Sequence, residues 1–189
     1  STFLRTVGIN MVLGLAGAPV CCKAFKLPVL RIFTSMKISD SLDRKMSLFY
    51  AELKRLKSII DALKETESES KTNSESVGIF FLIDEMLKGT NVFDRQKGSL
   101  ALLKQLVENG ANGILATHDL TLSQLETHYR DENRIGNFHF DSYINGDTLE
   151  FDYKLKSGVC KSFNAHILMK NMDIKFNIHN DKNWDDSLQ

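Results

Sequence analysis

Apolar residues along this chain keep two rhythms, one of three- and four-residue steps and one of alternation, and the changes between them mark its elements. Ser1 to about Leu15 is mostly apolar and predicts a buried helix, which Gly14, Gly17 and Pro19 loosen and end. Leu27 to Thr34 has the β-branched content of a strand. From about Asp40, the residues Met46, Phe49, Leu53, Leu56, Ile60 and Leu63 recur at helical steps, with Lys54, Arg55 and Lys57 off that face. Lys64 to Ser76 holds no apolar residue and predicts a flexible loop. A strand (Val77 to Ile83), a helix (about Asp94 to Asn109) and a second strand (Gly113 to Thr117) then follow. This order predicts an α/β fold, a mainly parallel sheet flanked by helices and joined by right-handed crossovers. After a helix at about Thr121 to His128, Phe138, Phe140, Tyr143, Leu149, Phe151, Tyr153 and Leu155 alternate with polar residues. They flank Asn145-Gly146-Asp147 and predict a β-hairpin. A last helix is expected from about Ser162 to Asn171, before a polar end.

Composition narrows the class without naming it. The 189 residues suit one domain with a sizeable core, and 42% hydrophobic with 25% charged residues is ordinary globular usage. Lys+Arg and Asp+Glu both number 24, so any contact with DNA would be local, not a general basic footprint. Three cysteines, Cys21 and Cys22 adjacent, build no disulfide framework, which fits reduced thiols in a cytoplasmic protein; buried small side chains are the expected role of all three. Arg5 and the apolar stretch from Val7 to Cys22 imitate a secretory signal, but the stretch is short for a membrane span and contains Asn10. The chain opens on Ser1, not Met, which predicts an excised piece of a longer polypeptide.

The chemistry concentrates where the central strand ends. Phe80-Phe81-Leu82-Ile83 is an apolar run that stops at Asp84 and Glu85. Charges can sit only where such a buried strand emerges, and in open α/β sheets the carboxyl ends of the strands are where ligands bind. One carboxylate can hold Mg²⁺ and a second can activate water, as nucleotide hydrolysis requires. The next strand ends in Ala116-Thr117-His118-Asp119, so His118 would lie beside the two acids, in reach of a terminal phosphate oxygen. Ser1-Thr2 opens a helix as the residues after Gly-Lys do in a phosphate-binding loop. By themselves they are an ordinary cap. His128, His139 and His179 lack metal-ligand spacing, and His166 reads as structural.

Together these strings resemble the carboxyl-terminal ATPase domain of the MutS family of DNA mismatch repair proteins, a relative of the ABC-type P-loop ATPases. The matching stretches are Ser1-Thr-Phe-Leu-Arg-Thr-Val-Gly, Arg31-Ile-Phe-Thr, Leu82-Ile-Asp-Glu-Met-Leu-Lys-Gly-Thr-Asn, Leu115-Ala-Thr-His and Gly158-Val-Cys-Lys-Ser-Phe. The resemblance implies an ATPase domain over residues 1–172, truncated just after the Walker A Gly-Lys, and a flexible tail over 173–189. It implies ATP and Mg²⁺ as cofactors, with Ser1 and Asp84 toward the metal and Thr2 beside the phosphates. Glu85 would polarise the hydrolytic water, and His118 would sense the γ-phosphate. Thr90, Asn91 and Asp94 would lie on the loop facing a second subunit, and Ser47 on the signature loop that contacts the partner's nucleotide. A homodimer through this domain, DNA contacts through other domains and repair-protein partners are implied in the same way.

The strings also depart from the family pattern. Lys45-Met46-Ser47-Leu48-Phe49 lacks the usual Gly and Thr of the signature loop, and Met86-Leu-Lys-Gly-Thr-Asn-Val replaces Ile-Gly-Arg-Gly-Thr-Ser-Thr. The hydrolytic groups are spared. Two alternatives therefore stay open, a dimerisation module that has lost hydrolysis and an ABC-type ATPase working outside mismatch repair. Weak nucleotide binding and little or no turnover are expected of residues 1–189 alone, which contain no Gly-Lys phosphate loop.

Overall fold

The computed structural model describes residues 1–36, 48–71, 77–132, 134–145 and 148–161. The chain divides into two compact units, Ser1–Gln124 and Leu125–Gln189.

The first unit is built on a parallel sheet in the order β1-β2-β3, comprising Leu30–Ser35, Gly78–Asp84 and Asn112–Ala116. Helix α1 (Thr2–Leu15) precedes the sheet, α2 (Leu48–Lys71) joins β1 to β2, and α3 (Val92–Glu108) joins β2 to β3. Pairing runs from Leu30↔Gly78 to Ser35↔Ile83 on one side of β2 and from Phe80↔Asn112 to Asp84↔Ala116 on the other. Alternation along β2 decides what covers each face. Ile79, Phe81 and Ile83 join one core cluster with Leu56, Ile59 and Leu63 of α2 and Leu106 of α3. Leu82 points the other way, fully buried, and meets α1: a Cβ placed at Gly8 would lie 2.9 Å from its Cδ1. Helices cover both faces of β2, which is why its sequence is one continuous apolar run. The expected α/β class is the one observed.

Several expectations change in detail. The α1 helix is not buried all round: Leu4 and Met11 are buried, with Gly8 between them, whereas Ile9 is 61% and Val12 57% exposed. Burial therefore follows a single stripe, residues 4, 8 and 11. In α2 the buried stripe is turned by one residue from the expected one: Leu53 is exposed, while Glu52, Leu56, Ile59, Ala62 and Leu63 are buried. The expected loop from Lys64 is helix through Lys71. Lys and Glu are good helix formers, and the hydroxyls of Thr66 and Ser68 donate to the carbonyls of Ala62 and Lys64, which removes their competition with the helix. Cys21 and Cys22 are exposed and Cys160 is half-buried, so the expected buried role holds for none of the three.

The second unit carries the expected hairpin, β4 (Phe138–Asn145) antiparallel to β5 (Thr148–Ser157), with an irregularity between Phe140 and Ser142. Gly146 and Asp147 of its turn lie outside the described residues, as do the expected last helix and tail. Among the described residues no helix is long and apolar enough to cross a membrane.

Candidate functional site

The site forms where β2 and β3 end side by side. Asp84 is the last residue of β2 and pairs with Ala116, the last of β3. The Glu85 N–H donates to the Ala116 carbonyl at 2.8 Å, so the ladder runs one residue beyond the strand. The chain then turns sharply, with Glu85 at φ 63° and Leu87 at φ 56°. Left-handed backbone in residues other than glycine costs about 1–3 kcal/mol each and persists where surroundings over-determine it. Here Met86 and Leu87 are buried, and the Leu87 N–H donates to Glu52 Oε1 of α2 at 2.6 Å.

That turn aims the Glu85 carboxylate at the end of β3. Its Oε1 accepts the main-chain N–H of His118 at 2.6 Å, and its Oε2 accepts the Thr117 hydroxyl at 3.2 Å. Thr117 Oγ1 in turn accepts the Asp119 N–H at 3.0 Å. Asp119 Oδ1 caps the short 3₁₀ turn Leu120–Ser123 by accepting from the Thr121 N–H, and its Oδ2 is buried without a hydrogen-bond partner.

Asp84 faces the start of α1. The Ser1 hydroxyl donates to Asp84 Oδ2 at 2.6 Å, and the Ser1 amino group lies 3.7 Å from Oδ1. Burial, the largest single influence on this carboxyl, raises its pKa. Hydrogen bonding from the Ser1 hydroxyl and the charge of Lys88 lower it, and the carboxyl lies below its ordinary 3.8. Asp84 is therefore ionised at neutral pH, beside a hydroxyl oxygen.

Ser1, Asp84, Glu85 and His118 line one cleft of about 660 Å³, together with Lys88 and Arg95. A carboxylate pair, an imidazole and two cations in a space of that size suit a phosphorylated small molecule. The two cations were not foreseen. Neither has a sequence signal that separates it from a solvated cation; in the structure Arg95 sits four residues before buried Ser99, on the stripe that ends at buried Leu106. Its Nε is buried without a hydrogen-bond partner.

Other sequence candidates lie elsewhere. Thr2 is the first residue of α1, and its carbonyl accepts the Thr6 hydroxyl at 3.0 Å. Asn91 is the N-cap of α3: its Oδ1 accepts the Asp94 N–H at 2.9 Å, and its Nδ2 donates to Asp94 Oδ2 at 2.6 Å. Asn91 and Asp94 thus start α3 reciprocally. Neither they nor Thr2 nor the half-buried Thr90 line the cleft. Ser47 lies outside the described residues.

Comparison with known proteins gives the same assignment. The family described as MutS domain V matches residues 1–172. The DNA mismatch repair protein MutS of Persephonella marina is 29% identical over 170 residues, 88% of this chain and 18% of that protein. The MutS proteins of Thermotoga petrophila (32% over 130 residues, 68% of this chain and 15% of that protein) and Fusobacterium nucleatum (28% over 170 residues, 88% and 17%) are similar as well. The chain spans less than a fifth of the length of these relatives. With a matched span that takes in both strand ends and the helix carrying Arg95, the chain belongs to the MutS domain V family.

Proposed function

We propose that this domain binds and hydrolyses ATP with Mg²⁺ in a MutS-type DNA mismatch repair protein. The observation that carries the reading is the meeting of Asp84, Glu85 and His118 at the ends of two adjacent parallel strands, in a cleft that also holds Lys88 and Arg95.

The donor set fits Mg²⁺. An ionised carboxylate and a hydroxyl oxygen 2.6 Å apart are hard ligands, and Mg²⁺ usually needs only one or two protein oxygens alongside substrate phosphates. Among the described residues no cluster of three or more His, Cys, Asp or Glu side chains could hold a metal ion. When bound, Mg²⁺ would neutralise charge on the phosphate oxygens. Glu85, fixed by the His118 N–H and Thr117, would orient and polarise the attacking water, and His118, which lines the same cleft, would meet the terminal phosphate. Lys88 and Arg95 offset the remaining negative charge.

A homodimer with composite sites, DNA held by other domains, further repair proteins as partners and a cytoplasmic location belong to the same proposal. It draws on the names of the similar proteins and on the resemblance of the strings. The test is steady-state ATP hydrolysis by the full-length protein and its Glu85→Gln variant. Loss of turnover with MgATP binding retained supports the reading. Equal turnover would favour the second one, a dimerisation module without hydrolysis, which the altered signature string around Ser47 motivates.

A further inference from the structure

We propose that Glu52 is a positioning residue for Glu85, acting through the strained turn that follows β2; this rests on the ATPase reading above. The turn has two non-glycine residues in left-handed backbone, Glu85 and Leu87, and such a conformation must be held from outside. Residues 86–89 are held from two helices. On the α3 side, a Cβ placed at Gly98 would lie 2.6 Å from Leu87 Cδ1, so the Leu87 side chain seats where α3 has none. On the α2 side, a Cβ placed at Gly89 would lie 3.0 Å from Phe49 Cβ and 3.4 Å from its Cα, so the turn rests on the first turn of α2.

Glu52, one turn further along α2, supplies the polar part of that clamp. It is 8% exposed, and its Oε1 accepts the Leu87 N–H at 2.6 Å, across 35 positions of sequence. A buried N–H cannot go unpaired without penalty. Without this acceptor, Leu87 relaxes toward a conformation that presents its N–H elsewhere. Glu85, two residues away, then loses the backbone direction that carries its carboxylate to the His118 N–H. Glu52 does not line the cleft, and its bond to the turn is made to the Leu87 main chain, so its influence on Glu85 passes through the backbone.

The experiment compares Glu52→Ala, Glu52→Leu and Glu52→Gln with the wild type in the full-length protein, by kcat and KM for ATP and by amide exchange over residues 84–90. Loss of the acceptor is expected to lower kcat on the order of a hundredfold, the scale of a small misplacement of a reacting group. KM should change by less than about threefold, since Glu52 does not line the site. Glutamine keeps an oxygen acceptor and should recover most of the turnover and the slow exchange. Leucine fills the space should alanine not fold. Wild-type kcat in the alanine or leucine variant, or no recovery in glutamine, would overturn the proposal. So would unchanged exchange at residues 84–90 in the alanine variant. A wild type that does not hydrolyse ATP would sink the ATPase reading and the catalytic part of this inference with it, while the exchange comparison would still decide whether Glu52 holds the turn.

Discussion

The main-chain N–H of His118 donates to Glu85 Oε1 at 2.6 Å, so the acid at the end of one strand is oriented by the backbone at the end of the next. This bond is independent of the imidazole. Replacing His118 with Ala should therefore leave the Glu85 arrangement in place and change stability by no more than about 0.5 kcal/mol, as is usual for exposed positions. Turnover in the full-length protein should nevertheless fall on the order of a hundredfold if the imidazole meets the developing phosphate charge. Thermal melting and steady-state kinetics read the two effects separately.

Asp84 gives a pH prediction whose sign follows from its neighbours. Its folded pKa lies below the ordinary 3.8, so its contribution to stability is present above that value and is lost as pH falls through the lowered one. Ser1→Ala removes one of the interactions that lower it. The Asp84 carboxyl should then titrate at a higher pH, and acid unfolding should begin earlier. Carbon-13 titration of the side-chain carboxyl in both proteins checks this, and coincident curves would show that the Ser1 hydroxyl is not a determinant.

Gly113 tests the sheet that carries the site. A Cβ there would lie 2.4 Å from both the Phe81 ring carbon Cγ and its carbonyl oxygen. Gly113→Ala should destabilise the domain by about 1–3 kcal/mol through overpacking, measured by urea unfolding. Gly113 also packs beside the pairing that sets Asp84 level with Ala116. Disturbing it should weaken nucleotide binding as well.

Arg95 tests the cleft's electrostatics. Its side chain lines the cleft beside Lys88, so the guanidinium charge would offset that of a bound phosphate. Arg95→Ala should weaken MgATP binding by about tenfold, roughly 1.4 kcal/mol, with little change in melting temperature. Calorimetric titration of the full-length protein measures it.

Much of this arrangement was legible in the sequence for one reason. A strand buried on both faces must be apolar throughout, so Asp84 and Glu85 could only mark its exit, and the strand after one helix had to bring His118 beside them. The hairpin was legible because alternation and an Asn-Gly pair are both local signals. Tertiary information was not. Glu52 looks like any solvated acid on α2 until the Leu87 N–H is seen to need an acceptor. The polar stretch after Lys64 looked like a loop because it has nothing to bury, yet its helix is carried on from the packed turns before it. The resemblance puts Asn91 and Asp94 on a loop facing a second subunit, and the structure shows that the same two side chains cap the start of α3.

Paramagnetic broadening by Mn²⁺·ATP is the most direct measure of whether one metal–nucleotide complex sits among these strand ends. In the isotopically labelled chain, alone and preceded by a Gly-Lys phosphate loop, resonances of Ser1, Asp84, Glu85 and His118 should broaden first, and those of Leu30 and Gly78 at the opposite end of the same sheet should stay sharp. Broadening centred elsewhere, or sparing residue 118 while affecting 84 and 85, would contradict the account.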